Sequence, residues 1–456
     1  MRSDDSPWRV PDFRTLFSAA VLSQLGTNVG YVAVPLIAVE ALDAGPGEVG
    51  ALATLSTLAF LLIGLPAGAW VDRLPQRRVL IVADAARGLL FASVPVAWWC
   101  DVLTLAQLYA VVLLSGCATV FYDVTGQSIL PRFVGRDGLV PANAAMVSLM
   151  AVTNVAGRGA GGGLVQLLTA PLAVAGTAVS HLASAVRLLW LKEAAGAAAV
   201  AVAAGEAVGA PAAPDGRSRS RSRTRSREPL RAQIATGVRH VLGNKELRAL
   251  ALCASLTNLG SQILNTMMPV LFVRELGLSA GVLGVYWAAG GLGLLLGARC
   301  ARAVAARFGY GRTLGLAGLV FAPAGLLVPL VGRGPWLWIA GAGWLLAMFK
   351  TGMDNVLGVS LRQRMTPDAL LGRMNATFRF LLTGALAVGA AVSGLLGELV
   401  GLHPTLWVGG ALLATAFLPV FLSPVRTRRT LPSEGADAEA ELVGRVRHGR
   451  RSGTRP

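Results

Sequence analysis

The chain has 456 residues, of which 54% are hydrophobic, only 14% are charged and 55 are glycine. This composition excludes an ordinary soluble globular protein and predicts a membrane protein that crosses the bilayer many times. The net charge of +17 lies mostly between or beyond the apolar segments, so membrane topology explains it better than nucleic-acid binding does.

Twelve apolar segments of spanning length follow one another along the chain. The first six are Phe13–Leu42, Val49–Val71, Val79–Trp99, Leu103–Gly126, Leu139–Leu168 and Pro171–Leu191. The last six are Leu247–Val273, Gly281–Ala303, Thr313–Val331, Trp336–Val359, Leu371–Val400 and Thr405–Leu422. They predict an all-α membrane protein with twelve transmembrane helices in two six-helix bundles, residues 1–191 and 247–423.

The arginines predict which side of the membrane each loop faces. Those between the segments fall on one side, at Arg73, Arg77, Arg78, Arg132, Arg136, Arg302, Arg307, Arg312, Arg362 and Arg364. The opposite loops are short and carry few basic residues. Because basic loops stay in the cytoplasm, both the N and the C terminus are predicted to be cytoplasmic.

Two basic regions lie outside the predicted spans. Residues 192–246 form a linker with the run RSRSRSRTRSR at 217–227 and an amphipathic stretch from Leu230 to Lys245. Such a run can bind RNA, but beside twelve spans we favour contact with anionic lipid headgroups. Residues 424–456 are predicted to form a disordered, basic cytoplasmic tail.

The two halves also resemble each other. One constant offset along the chain aligns Pro35 with Pro269, and a slightly smaller offset aligns Asp123 with Asp354. A repeat of six spans keeps the same orientation in both halves, which is the parallel arrangement found in transporters built from two bundles.

The elbow between the second and third segments carries the most specific motif. The stretch Gly64–Arg78 reads GLPAGAWVDRLPQRR, and its charges cannot lie in hydrocarbon. It resembles motif A of the major facilitator superfamily, with the matching positions at Gly68, Asp72, Arg73, Arg77 and Arg78. The DAAR and PANAA stretches and the long basic loop resemble the enterobactin-exporter and macrolide-efflux branch. The resemblance implies a cytoplasmic latch, with Asp72 near the start of the eleventh span.

Charged side chains inside the predicted spans are candidates for coupling. Asp84 and Arg87 are three residues apart and Lys350 and Asp354 are four apart, so each pair shares a helix face. Arg158 lies near the middle of the fifth span with no acid within one turn, so it needs a partner on another helix or a water-filled cavity. The predicted charge network comprises Asp84, Arg87, Asp123, Arg158, Lys350 and Asp354, and the family resemblance implies that Asp123 joins Arg73 and Arg77 at the latch.

The family resemblance implies that the first, fourth, seventh and tenth spans line a substrate cavity. The first span offers Gln24, Asn28 and Tyr31, and the seventh offers Asn258, Gln262 and Asn265. Within each set the spacing of three or four residues puts the side chains on one face, where they either hold ligand or bridge helices. A cavity of amides and aromatics suits a bulky amphiphile.

These observations predict a transporter and not an enzyme. The four cysteines and four histidines are too scattered for a metal site, and no Walker sequence or nucleophile and base pair is found, so no cofactor is expected. We expect a monomeric, proton-coupled exporter of drug-like amphiphiles, macrolides or siderophores in the bacterial cell membrane, with no nucleic-acid partner. The alternatives left open are a metabolite importer, a non-transporting sensor and a lipid scramblase on the same fold.

Overall fold

The computed structural model describes residues 7–71, 73–134, 139–191 and 230–428. Within these ranges the chain is helical and contains no β-strand. The first six helices are α1 (Pro11–Leu36), α2 (Pro46–Val71), α3 (Gln76–Trp99), α4 (Leu105–Val134), α5 (Leu139–Leu168) and α6 (Ala170–Leu188). Then follow α7 (Leu230–Gly243), α8 (Lys245–Val270), α9 (Ala280–Phe308), α10 (Tyr310–Phe321), α11 (Pro335–Arg364), α12 (Asp368–Leu399), α13 (Leu402–Thr415) and α14 (Leu418–Phe421).

Each of the twelve predicted segments coincides with a helix or with a helix and its continuation. Eight helical segments of the described chain are long and apolar enough to cross a membrane: Pro11–Ala41, Pro46–Gly64, Gln76–Trp99, Leu105–Val134, Ala280–Phe308, Tyr310–Leu330, Leu370–Leu399 and Leu402–Phe421. The exposed surface agrees with a lipid environment. On α3, Val82, Leu89 and Val96 recur every second helical turn and are 65, 65 and 63% exposed, which is an apolar stripe facing outward. Twelve crossings and cytoplasmic termini stay predictions.

The predicted repeat is visible in the backbone. Helix α1 contains Pro35 and widens into a π-helical turn at Ile37–Ala41. Helix α8 contains Pro269 and widens into a π-helical turn at Leu271–Glu275. A proline inside a helix removes one backbone hydrogen bond and clashes with the preceding turn, so a local change of helical winding beside it is expected. The offset that aligns Pro35 with Pro269 also aligns the two widened turns, so the repeat is confirmed in this part of the chain.

The chain forms two compact units. Unit 1 comprises residues 1–233, 265–288 and 390–402, and unit 2 comprises 234–264, 289–389 and 403–456. In unit 1, helix α6 packs against α1 and α3, α5 packs against α1, and α4 packs against α2 and α3. Unit 1 also includes the end of α8, the start of α9 and the end of α12, which the sequence assigns to the second bundle. The predicted division into residues 1–191 and 247–423 stays a prediction.

Two glycine pairs explain why these later segments pack into unit 1. A Cβ atom added to Gly50 of α2 would lie 2.3 Å from the Cα of Gly394 on α12. A Cβ atom added to Gly162 of α5 would lie 2.7 Å from the Cα of Gly284 on α9. Real Cβ atoms do not approach backbone so closely, so these helix crossings require glycine on both sides. Small residues allow such close backbone contact between membrane helices.

Polar contacts accompany the glycine crossings in unit 1. The guanidinium of Arg274 donates to the carboxylate of Asp43 at 2.5 Å, and the side chain of Asp43 is 98% exposed. The backbone N–H of Gly47 donates to Oε2 of Glu398 at 3.2 Å, which places an acidic group at the N terminus of α2. A negative charge is favourable there because the first N–H groups of a helix have no intrahelical acceptor.

Unit 2 has its own apolar core, and the chain remains structured beyond its last long helix. Leu247, Met353 and Phe378 are among the buried residues of that core. At the start of the predicted tail, Pro424–Thr427 form a short helix and Arg428 donates to Oε2 of Glu246 at 2.8 Å. The remainder of the predicted tail, 429–456, and the linker residues 192–229 with the arginine and serine run lie outside the described residues.

The amphipathic stretch predicted from Leu230 to Lys245 is helical as α7. A Cβ atom on Gly237 would lie 2.8 Å from Oγ1 of Thr377, so α7 packs tightly against α12 on its glycine side. Ile234, Val238 and Leu242 form an exposed apolar stripe.

Candidate functional site

The most deeply buried charges lie in unit 1, where α1, α3 and α6 meet. Asp84 and Arg87 form an ion pair one turn apart on α3, as their spacing predicts. Asp84 has no exposed surface, and Arg87 is 2% exposed. Isolated charges in such surroundings would be very costly, so both must be paired and hydrogen-bonded.

The neighbouring helices supply the remaining partners of this pair. The hydroxyl of Ser184 on α6 donates to Oδ2 of Asp84 at 2.5 Å, and Nδ1 of His181 lies 3.3 Å from Oδ1. On α1, the hydroxyl of Ser23 lies 3.1 Å from Oδ1. The guanidinium of Arg87 covers the ring of Tyr122 at 4.6 Å. Three helices are thus joined through one carboxylate, which makes this cluster a structural anchor of unit 1.

Sequence reasoning missed His181, Ser184, Ser23 and Tyr122 as members of this cluster. His181 is far from Asp84 in the sequence and lies three helices later, so no local spacing connects them. One signal was present, because a histidine within an apolar helix needs a polar partner.

Motif A lies at the turn between α2 and α3. The backbone of Gly68 belongs to α2, Asp72 lies outside the described residues, and Arg73 and Arg78 are exposed. Arg77 reaches another helix, because its Nη2 donates to the carbonyl oxygen of Leu189 at 2.6 Å. Carbonyl groups at a helix C terminus lack intrahelical donors, so this bond ties the turn to the end of α6. The predicted latch contact of Asp72 stays a prediction.

A second ion pair lies in unit 2, on α11. Nζ of Lys350 is 2.5 Å from Oδ2 of Asp354, and their side chains are 4% and 18% exposed. Sγ of Cys253 on α8 lies 3.8 Å from Nζ of Lys350 and 4.0 Å from Oδ2 of Asp354. Cys253 therefore contacts both charges of the pair. This site differs from the Asp84 cluster because its carboxylate keeps some exposed surface.

Asp354 borders a cavity of about 220 Å³ within unit 2. The polar side chains lining it include those of Asn258, Thr257, Asn355 and Arg362, and apolar side chains such as Leu250 and Phe378 complete the wall. At about 30 Å³ per molecule in the liquid, this volume corresponds to several waters or one small polar group. The Asp354 carboxylate therefore borders a cavity whose wall is mainly apolar and carries several polar side chains.

Replacing Lys350 with methionine is expected to lower stability by about 2 kcal/mol, because Asp354 would lose its cation in a largely buried site. The double variant Lys350→Met/Asp354→Leu should regain most of this loss, because no unpaired charge remains. Thermal unfolding of the detergent-purified full chain would measure both effects. Equal midpoints for the single variant and the wild type would show that the pair contributes nothing to stability.

The predicted amide residues serve different roles. Nδ2 of Asn28 donates to the carbonyl oxygen of Gln24 within α1 at 2.8 Å, and Asn28 is buried against Gly157 of α5. Nδ2 of Asn258 donates to the carbonyl oxygen of Leu382 at 3.2 Å and so bridges α8 and α12. Asn258 also lines the cavity beside Asp354. For Asn258, both interpretations that the sequence left open, ligand binding and helix bridging, therefore remain.

The remaining predicted residues lie at other places in the helices. Gln262 is on α8, where its Cβ would lie 3.1 Å from a Cβ atom added to Gly389 of α12. Asn265 lies near the end of α8, and Asp123 is half-buried on α4.

Arg158 of α5 finds its neighbour on another helix, as its isolation in the sequence predicts. Its guanidinium lies 4.2 Å from the centre of the Tyr31 ring on α1. Tyr31 in turn contacts Trp287 of α9 edge to face, with ring centres 5.2 Å apart. Trp287 was not among the predicted site residues. Within the described ranges no group of three or more His, Cys, Asp or Glu side chains could hold a metal ion.

Comparison with known proteins decides the family. The sequence model of the Major Facilitator Superfamily matches residues 16–303 and, in a second match, residues 250–453. The chain belongs to this superfamily. It is 26% identical over 400 residues to the enterobactin exporter EntS of Escherichia coli, covering 85% of this chain and 86% of EntS. It is 25% identical over 398 residues to an uncharacterized transporter of the superfamily, y4rN of Sinorhizobium fredii, covering 85% and 88% of the two chains.

Solved structures of transporters share the fold. The nucleoside transporter NupG superimposes with a TM-score of 0.70 at 12% identity, covering 90% of this chain and 99% of that chain. A bacterial homologue of the iron transporter ferroportin in an inward-facing state gives a TM-score of 0.69 at 16% identity, covering 91% and 99%. This major facilitator protein is therefore a multi-pass membrane transporter by family and not an enzyme.

Proposed function

We propose that this major facilitator protein exports bulky amphiphilic molecules, siderophores or macrolides among them, from the bacterial cytoplasm. The observation that carries the proposal is the match to EntS, an enterobactin exporter, along 85% of the chain. The contact of Arg158 with Tyr31 supports it, because Tyr31 is 36% exposed and its ring leaves aromatic surface beside a cation near the middle of α5. A site of this kind suits a large, partly aromatic molecule.

Proton exchange is the proposed driving force, and Asp354 is the proposed coupling carboxylate. Asp354 is paired with Lys350, borders a cavity that presents several polar side chains in a mainly apolar wall, and keeps 18% of its side chain exposed. Protonating Asp354 would remove its attraction to Lys350, and a two-state transporter can use such a local change to shift between its conformations. Asp84 is the less suitable candidate because it is fully buried and held by three helices.

We further propose that the motif A residues Gly68, Asp72, Arg73, Arg77 and Arg78 form a cytoplasmic latch. The bond from Arg77 to the carbonyl of Leu189 supports a fixed position for this turn. A latch that breaks when the cytoplasmic side opens biases the conformational equilibrium without touching substrate. The protein is proposed to work as a monomer in the cell membrane, with protons and a small molecule as its partners and without nucleic acid.

Transport by the purified full chain in proteoliposomes under an imposed pH gradient tests the proposal. Macrolides, siderophores and amphiphilic dyes should move across the membrane in the direction opposite to the proton flow. A protonophore, which dissipates the pH gradient, should abolish this movement. Asp354→Asn is expected to lower this gradient-driven transport at least tenfold. Asp101→Asn serves as the control, since Asp101 is exposed in a turn with φ of 56°, which asparagine also adopts.

Two results would contradict this function. Movement of the panel compounds only toward the cytoplasmic face of the inserted protein would indicate a metabolite importer. No movement in either direction, with the protein folded and inserted, would favour a sensor on the same fold.

A further inference from the structure

Three helices of unit 1 bring one cation and two aromatic rings together. The crossing of α5 and α9 at Gly162 and Gly284 is so close that the carbonyl oxygen of Arg158 would lie 3.0 Å from a Cβ atom on Gly284. Trp287 lies one turn after Gly284 on α9, where its ring contacts Tyr31 of α1. The glycine contact therefore fixes the position of Trp287 beside the Arg158 and Tyr31 pair.

Two hydrogen-bond donors in this cluster have no acceptor within residues 7–71, 73–134, 139–191 and 230–428. Nε of Arg158 and Nε1 of Trp287 are both buried, and neither has a hydrogen-bond partner among the described residues. In the same part of the chain no carboxylate pairs with Arg158 either. Buried polar groups in native proteins are almost always satisfied, so two unsatisfied donors in one cluster call for an explanation. Both groups are donors only, which means that the missing partner is an acceptor.

The energetics indicate an acceptor that carries negative charge. An unpaired arginine in a membrane span is costly, and a cation–π contact recovers only part of that cost. An oxyanion recovers more, because the guanidinium binds carboxylates through two parallel hydrogen bonds. Tyr31 is 36% exposed, so its ring also leaves aromatic surface accessible beside the cation.

We propose that Arg158, Tyr31 and Trp287 form a binding site for an aryl carboxylate group of the transported molecule. The carboxylate accepts hydrogen bonds from Arg158 and Trp287, and the attached aromatic ring packs against Tyr31. This inference rests on the proposed transport function and narrows its substrates to molecules that carry an aryl carboxylate, which leaves out the neutral and cationic members of the proposed range. The proposed site differs from the Lys350 and Asp354 pair, in which a carboxylate of the protein already neutralises the cation.

Two probes of equal shape test the requirement for charge. 2-Naphthoate carries the carboxylate, and 2-naphthamide is its neutral counterpart with the same ring. Equilibrium binding to the full chain in nanodiscs should show at least a tenfold preference for naphthoate. In Arg158→Gln this preference should fall to about one, and Arg158→Lys should retain part of it, because the charge remains while the planar fork is lost. Tyr31→Leu should weaken both probes alike.

Arg187→Gln is the matched control. Arg187 of α6 also lies over an aromatic ring, that of Trp190 at 5.1 Å, but its Nε donates to the hydroxyl of Ser18 at 2.9 Å. Its donor is satisfied, so this substitution should leave the naphthoate preference unchanged. If Arg187→Gln and Arg158→Gln lose the naphthoate preference equally, the effect is due to net charge and the proposed site is wrong.

The wild-type protein alone can overturn the proposal, whether or not the variants fold. Equal binding of naphthoate and naphthamide would mean that water serves the two donors and that no anion site exists. If the proteoliposome panel still shows export of neutral or cationic compounds, the transport function stands and only the substrate class is wrong. If nothing is exported while naphthoate binds with the expected preference, the site stands and the proposed exporter fails.

Discussion

Replacing Asp84 with alanine is expected to cost about 3 to 5 kcal/mol and to lower the thermal midpoint of the purified chain by about 5–10 °C. The reason is that Arg87, 2% exposed, would lose its only described carboxylate partner, and Ser184 and His181 would lose their shared acceptor. An uncompensated charge inside a helix bundle is among the most destabilising changes possible. Fluorescence-detected thermal unfolding and the yield of monodisperse protein measure the loss.

Two variants separate the contribution of charge from that of packing. Asp84→Asn keeps the size of the side chain and an acceptor for Ser184 but removes the charge, so it should be nearly as harmful as alanine. Asp84→Asn/Arg87→Gln removes both charges and should recover at least half of the lost stability. If Asp84→Ala melts like the wild type, the cluster is not the anchor of unit 1 that its burial indicates.

Valine at Gly162 is expected to reduce transport and naphthoate binding at least tenfold, whereas valine at the next residue, Gly163, should leave both nearly unchanged. At Gly162 an added Cβ atom would meet the carbonyl oxygen of Ala280 at 2.6 Å and the Cα of Gly284 at 2.7 Å. Backbone cannot yield as a flexible side chain can, so α5 and α9 must separate. Trp287 would then move away from Tyr31 and Arg158. At Gly163 no heavy atom of the described residues outside its own helical turns lies within 4 Å of the added Cβ.

The comparison of these neighbouring positions cancels the general effect of valine in a helix. Both glycines lie in the same turn of α5, so the difference in helix propensity is the same for the two variants. Binding of 2-naphthoate and gradient-driven transport are measured for each variant against the wild type. Equal losses in both variants would mean that helix propensity, and not the α5 to α9 crossing, determines activity.

Local spacing in the sequence predicted much of this architecture. Apolar runs of about 20 residues indicated the helices. Separations of three and four residues indicated the pairs Asp84 with Arg87 and Lys350 with Asp354, because residues one turn apart meet on any helix. The alignment of Pro35 with Pro269 predicted the repeat, which the two π-helical turns confirm.

Contacts between distant helices could not be predicted in this way. Tyr31 and Trp287, and likewise Asp84 and His181, lie on different helices, and their meeting depends on how the backbones cross. The crossings depend on individual glycines, and in a chain with 55 glycines no pattern marks Gly162 and Gly284 as the pair in contact. The sequence could indicate only that Arg158 needed a partner, not which residue it contacts.

The two π-helical turns also bear on how this protein arose. Both begin shortly after a proline and both span five residues, at Ile37–Ala41 and Leu271–Glu275. Independent origin would require the same proline and the same change of winding to appear twice at the same distance from a helix start. A single ancestral segment, already carrying the proline and the widened turn before its gene was duplicated, accounts for both copies.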